Sequence, residues 1–237
     1  MPPSPTTTPT RRFPRNERIS KIVAVTRKLL EEVGYNNIVT NEVAARCGIS
    51  EATIYKYFDS KRDLLIKVAE EWYGELLSEN YRSFAGMSAL EALRHVIWRH
   101  FSIVKRDPAL SKFMLLDLRP DPEYRNMPIY QLNRKLLAQV TVVIKTYMES
   151  GDLRSDVPVS LVRDMIFGCI EHQTWAYLRN EGDFLIDEAT EGMVKIIYEG
   201  LRTKGAKADY NPGEKFTETV KQLESITQRL EKAVKKK

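Results

Sequence analysis

Between Thr40 and Lys61 the chain carries hydroxyls, phenols and ammonium groups at spacings that collect them on one side of short helical segments. Thr40, Ser50, Thr53, Tyr55 and Tyr57 offer O–H donors, and Lys56 and Lys61 offer cations. Donors and cations of this kind suit phosphate oxygens, which position a protein on a duplex. Glu51, Ala52 and Lys56 share an outward face with Thr53, Tyr55 and Tyr57. Catalysis finds no comparable set. His95 and His100 are five apart and fall off a common helix face, and no H-E-x-x-H occurs. A glycine-rich phosphate loop and a nucleophile elbow are also missing, and most carboxylates alternate with Lys or Arg as on solvated faces. Neither an enzyme, nor a metal site, nor a cofactor is expected.

The surrounding residues supply a scaffold for those groups. Thr40 reads as an N-cap, and Val43, Ala44 and Cys47 place small apolar groups on one side of a two-turn helix. Gly48 suits the positive-φ turn after it, and Ile49 plugs the junction. Ser50 caps a second helix predicted over Glu51–Phe58, with Ile54 and Phe58 facing inward. A small helix, a glycine turn and a second helix with polar and aromatic groups outside is helix-turn-helix geometry.

The segment TNEVAARCGISEATIYKYFDSKRDLL, Thr40 to Leu65, resembles the DNA-binding signature of the tetracycline-repressor (TetR) family. The resemblance extends without a gap from Glu17 to Leu65; beyond it only helix number and order agree. It implies an all-helical homodimeric regulator, with three N-terminal helices on operator DNA and a larger C-terminal domain around a small effector. By the same resemblance Thr40 would contact phosphate, and Thr53 and Tyr55 would reach base edges or phosphates. Tyr57 and Lys61 would clamp the backbone. Glu51 departs from the glycine or basic residue many relatives carry beside the capping Ser50. It would accept a hydrogen bond from cytosine, or merely favour the helix N-terminus.

Charge agrees with this placement. Residues 1–67 hold 12 Lys/Arg against 7 Asp/Glu, whereas residues 68–204 hold 17 against 20. A basic third on a mildly acidic body points to a polyanion partner for that third. Two cysteines, Cys47 and Cys169, exclude a disulfide framework. They fit a cytoplasmic chain, and no run reaches the roughly 18–20 apolar residues of a membrane span.

The fold class read from three- and four-residue apolar spacing is all-α. Four parts are expected: a basic disordered tail over 1–15, a helix-turn-helix domain over 16–62, a helical effector-binding and dimerisation domain over 63–204, and a linker with an amphipathic helix over 205–237. Arg11, Arg12 and Arg15 would reach a minor groove or simply keep the tail soluble. In the body, Trp72, Trp98, Phe101, Phe113, Met114, Tyr130, Tyr147, His172 and Trp175 are candidate liners of an apolar effector pocket, fatty-acyl or aromatic in character. Arg99 and Arg119 are candidate partners for an anionic group. The helices near 158–180 and 187–202 are apolar on more than one side, which suits pairing with a second copy. A seam of Phe216, Val220, Leu223, Thr227, Leu230 and Val234 would dock on the body, bind a partner or fray. Partner recruitment through that seam, without small-molecule control, is the alternative reading.

Overall fold

A computed structural model describes residues 14–79, 84 and 86–203, and all regular elements among them are helices. The Arg11–Arg12 pair, the 205–213 linker and the seam beyond it lie outside the described residues. Helix α1, Arg15–Val33, buries Ile22, Val23, Thr26, Leu29 and Leu30. It stops at Gly34, whose φ of 74° favours a residue without Cβ. Helix α2, Thr40–Cys47, buries Thr40, Val43, Ala44 and Cys47 and ends at Gly48, in the left-handed region. Helix α3 comes next as Glu51–Ile54.

Two details differ from the sequence expectation. Val39, not Thr40, is the N-cap of α2, so Thr40 is the first helical residue. The second helix ends at Ile54 instead of Phe58. Its continuation is a pair of tighter bonds, Lys56 N–H to Thr53 O at 3.3 Å and Tyr57 N–H to Ile54 O at 2.9 Å. Thr53, Ile54, Tyr55 and Tyr57 are β-branched or aromatic and lose rotamer freedom in a helix, which favours early termination. Ile54 and Phe58 remain buried on either side of that turn.

Helix α4, Lys61–Ser78, starts at Ser60, whose hydroxyl accepts the Asp63 N–H at 3.0 Å. Helix α5, Ala89–Arg106, begins with the capping box of Ser88 and Glu91 and stops at Asp107, before Pro108. Helix α6, Pro108–Lys112, runs on into a π-helical turn, Phe113–Leu118, in which Arg119 N–H reaches Met114 O at 3.0 Å. Helix α7 is Pro128–Glu149, α8 is Val159–Leu178 and α9 is Ile186–Leu201.

Two apolar cores result. The first joins Ile22, Leu30, Val43, Ile54 and Phe58 of the N-terminal helices to Leu64, Val68 and Trp72 of α4. Leu110, Phe113 and Met114 close it from the α6 side. The second packs Leu93, Ile97 and Phe101 of α5 with Val140 and Ile144 of α7, Ile166 of α8 and Val194 of α9. The N-terminal helices therefore share their core with α4 and the α6 segment, not with α8 and α9.

Candidate nucleic-acid interface and effector domain

Ile54 at 1% exposure and Phe58 at 5% fix the α3 turn to the core. Tyr55 and Lys56 between them face away, while Tyr57 is half-buried against the core. Tyr55 is 47% exposed, and Ala52, Lys56 and Ser50 also face solvent. Thr53 is half-buried, and its hydroxyl lies 2.8 Å from that of Ser50. The flanking clamps are anchored to the scaffold. Lys61 Nζ donates to Ile38 O at 3.2 Å, and the Tyr57 hydroxyl accepts from Arg18 at 3.4 Å, with the Arg15 guanidinium 5.9 Å from its ring centre. Lys21 Nζ donates to Cys47 O at 2.9 Å, adding a further cation beside the turn. Cys47 itself is buried, which pushes its thiol up and keeps it in the unreactive form.

Thr40, expected to meet phosphate, is only 6% exposed. Its hydroxyl donates to the Glu51 carboxylate and lies 3.1 Å from the Tyr55 hydroxyl. Sequence reasoning missed this grouping because the helix-turn-helix angle, not sequence spacing, brings residues 40 and 51 together.

The body residues expected to line a pocket separate into three groups. Trp72, Phe113, Met114 and Tyr130 belong to the first core or pack against it. Trp72 Nε1–H donates to Asp107 at 3.0 Å, and Phe113 meets Tyr35 with ring centres 5.6 Å apart. Phe101 and Tyr147 belong to the second core, Phe101 lying 5.4 Å from the Phe184 ring and Tyr147 donating to Met87 O at 2.8 Å. Trp98, His172 and Trp175 face outward; Trp98 is 44% exposed and donates to Asp187 at 2.9 Å. A cavity of about 330 Å³ among the described residues is lined by Gln173, Asp183, Phe184, Leu185, Glu188 and Ala189, and holds none of the nine. Arg99 is engaged with Leu76 O, Gln139 and Glu79, and Arg119 with Glu171.

One buried polar group was not singled out from sequence. His100 is 7% exposed, its ring set edge-on to Phe167 at 5.1 Å, and its Nδ1–H donates to Val96 O at 2.7 Å. Burial lowers its pKa to about 4, so the imidazole is neutral near pH 7.

Polar struts join the N-terminal helices to the body at both ends of the α6 segment. Asp107, at its start, accepts from Trp72 of α4 and from Arg27 of α1, the latter at 3.3 Å. At its end Arg62 of α4 reaches Asp117 at 2.8 Å and Asp121 at 2.6 Å. Arg119, between those two carboxylates, pairs with Glu171 on α8.

The outer side of α8 exposes Leu161, Met165, Cys169, His172 and Trp175, and α9 exposes Ile196 at 75% beside Gly192 and Gly200. No helix among the described residues is long and apolar enough to cross a membrane.

Comparison with known proteins agrees with this architecture. Residues 22–68 match the family described as bacterial regulatory proteins, tetR family, and residues 70–200 match the C-terminal region of YsiA-like proteins. The fatty acid metabolism regulator protein of Bacillus subtilis is 25% identical over 193 residues, covering 80% of this chain and 98% of that protein. The crystal structure of the transcriptional regulator FadR from Bacillus subtilis, in complex with stearoyl-CoA, superposes with a TM-score of 0.61 at 25% identity, over 76% of this chain and 98% of that one. The fatty acid degradation regulator FadR from Bacillus halodurans shares the fold at a TM-score of 0.58 and 21% identity, over 77% and 99% of the two chains.

Proposed function

The chain belongs to the TetR family of bacterial regulatory proteins, ligand-responsive DNA-binding regulators of transcription, and on that footing we propose a homodimeric repressor released from its operator by an acyl ligand. The observation that carries this reading is the turn held between buried Ile54 and Phe58, which turns Tyr55 and Lys56 outward. In a dimer the two turns enter successive major grooves, roughly 34–36 Å apart. Tyr55, Lys56 and Thr53 meet bases and phosphates, with Lys61 and Tyr57 at the margins. The second copy covers the apolar sides of α8 and α9.

The acyl assignment draws on the relative crystallised with stearoyl-CoA and on the apolar, aromatic interior of the body. A ligand wedged among the body helices shifts the α6 segment, and the Arg62 strut carries that shift to the start of α4, beside Lys61. Ligand and DNA then disfavour each other by one shared coupling free energy, typically about 1–3 kcal/mol.

The test is a fluorescence-anisotropy titration of the full chain on the duplex it enriches from a randomised pool, with acyl-CoA thioesters of increasing length added. Tyr55→Ala is expected to weaken binding at least about tenfold, since a good groove contact is worth roughly 1–3 kcal/mol, with the dimer intact. Undiminished affinity in that variant refutes the interface. Failure of every thioester to release DNA refutes the acyl assignment alone.

A further inference from the structure

Thr40, Tyr55 and Glu51 form a hydrogen-bonded chain whose proton inventory has a consequence for DNA binding. A hydroxyl carries one proton. The Thr40 proton is given to the Glu51 carboxylate, which can only accept. The contact of 3.1 Å between Thr40 and Tyr55 is then made by the Tyr55 proton, donated to Thr40 Oγ1. The hydroxyl protons of Thr40 and Tyr55 are thus spent inside the protein, and their terminus is a carboxylate. That charge belongs to the basic N-terminal third, whose Lys21, Lys56 and Lys61 would otherwise favour a polyanion.

We infer that Glu51 is an internal competitor of the DNA backbone and so an affinity-setting residue, holding the Thr40 and Tyr55 donors until duplex phosphate displaces it. The inference rests on the proposed DNA-binding function. Any duplex must break the Thr40–Glu51 bond, a charge-assisted one, before those hydroxyls can serve phosphate. Glu51 therefore lowers affinity for every duplex that uses those hydroxyls, and by about the same factor for each. A base-reading glutamate would behave in the opposite way, strengthening the cognate complex and leaving the random one alone.

The two roles separate in a single experiment with the full chain. Glu51→Gln and Glu51→Ala are measured on a random-sequence duplex and on the duplex enriched by the wild-type chain, at one fixed salt concentration. Both variants are expected to bind the random duplex roughly tenfold tighter, the scale of one charge-assisted bond, and to gain about as much on the enriched duplex. Unchanged random binding, or weaker enriched binding with random binding unchanged, overturns the inference.

A double-mutant cycle adds a readout that a purely structural role would not move. Thr40→Val is expected to cost several-fold more affinity in the Glu51→Ala background than in wild type, because only there is the hydroxyl uncommitted before binding. Additive effects overturn the proposal. A wild-type chain that captures no duplex at low salt refutes the DNA-binding reading itself, a result distinct from either.

Discussion

At the α3 turn the large apolar side chains Ile54 and Phe58 are inside, and hydroxyls, a phenol and lysines are outside. Along α8 and α9 the order is reversed: Leu161, Met165, Trp175 and Ile196 stand between 48% and 75% exposed. The two regions solve different problems. The first already buries its large apolar side chains and would gain from a charged partner, with binding that weakens as salt rises. The second exposes apolar surface that burial would stabilise by roughly 1.5–3 kcal/mol per large side chain, so it gains from an apolar partner such as its own symmetry mate.

The contrast is most easily broken at Ile196. In the proposed dimer Ile196→Glu would bury a carboxylate on each side of the interface, at a cost of several kcal/mol if no cation answers it. Sedimentation is expected to show monomers at micromolar concentration. Operator affinity is expected to fall by about a hundredfold or more, although Tyr55 and Lys56 are untouched. A chain that remains dimeric moves the self-association surface elsewhere.

The two cores differ as well, and pH exposes the difference. His100, packed on Phe167 next to the second core, titrates near 4 when folded against 6.5 for an unburied imidazole. Because the folded value is the lower one, the unfolded chain binds the extra proton first as pH drops. Stability contributed by neutral His100 is therefore complete above about 6.5 and is lost as pH falls from there toward 4. By pH 4.5 the loss is about 2–3 kcal/mol. Denaturant melts of wild type and His100→Leu should diverge across that window, with the variant flatter. Parallel curves would mean that the imidazole is hydrated.

Much of this was legible in the sequence, for reasons tied to particular residues. Gly34, Ser88 with Glu91, Pro108 and Gly151 punctuate the helices, and the elements between them keep an unbroken apolar period, so the all-α order could be read directly. The α3 turn was legible because Ile54 and Phe58 are four apart and point inward together, which leaves Tyr55 and Lys56 outside. What sequence could not supply depends on how helices cross. The α2–α3 angle sets Thr40 against Glu51, converting an expected phosphate contact into an internal hydrogen bond. Aromatic type alone could not say that Trp175 and His172 lie on the outer side of α8 while Phe101 is fully buried. The π-helical turn at Phe113–Leu118 adds a residue to the turn with no signal in composition.

That turn separates the two regions, and Arg62 is where their connection can be cut with the least damage. Arg62 is 42% exposed, and its partners Asp117 and Asp121 are 25% and 24% exposed. Pairs so accessible add only about 0–1 kcal/mol each to stability, so Arg62→Gln should fold normally. Asp117 and Asp121 are four apart astride the end of the π-helical turn, and a turn of that kind can shed its extra residue and rotate the backbone on its C-terminal side. A ligand that shifts this segment moves both carboxylates, and Arg62 passes the movement to the first turn of α4. Without the guanidinium the segment can shift while α4 stays in place. Arg62→Gln is therefore expected to change ligand-free DNA affinity by less than about threefold. The acyl-CoA concentration needed for release should rise about fivefold, roughly 1 kcal/mol of lost coupling. The Asp117→Asn/Asp121→Asn double variant, altered only on the body side, should reproduce that shift. Normal release in both variants would mean that the two regions communicate through the apolar contact of α4 with α7 instead.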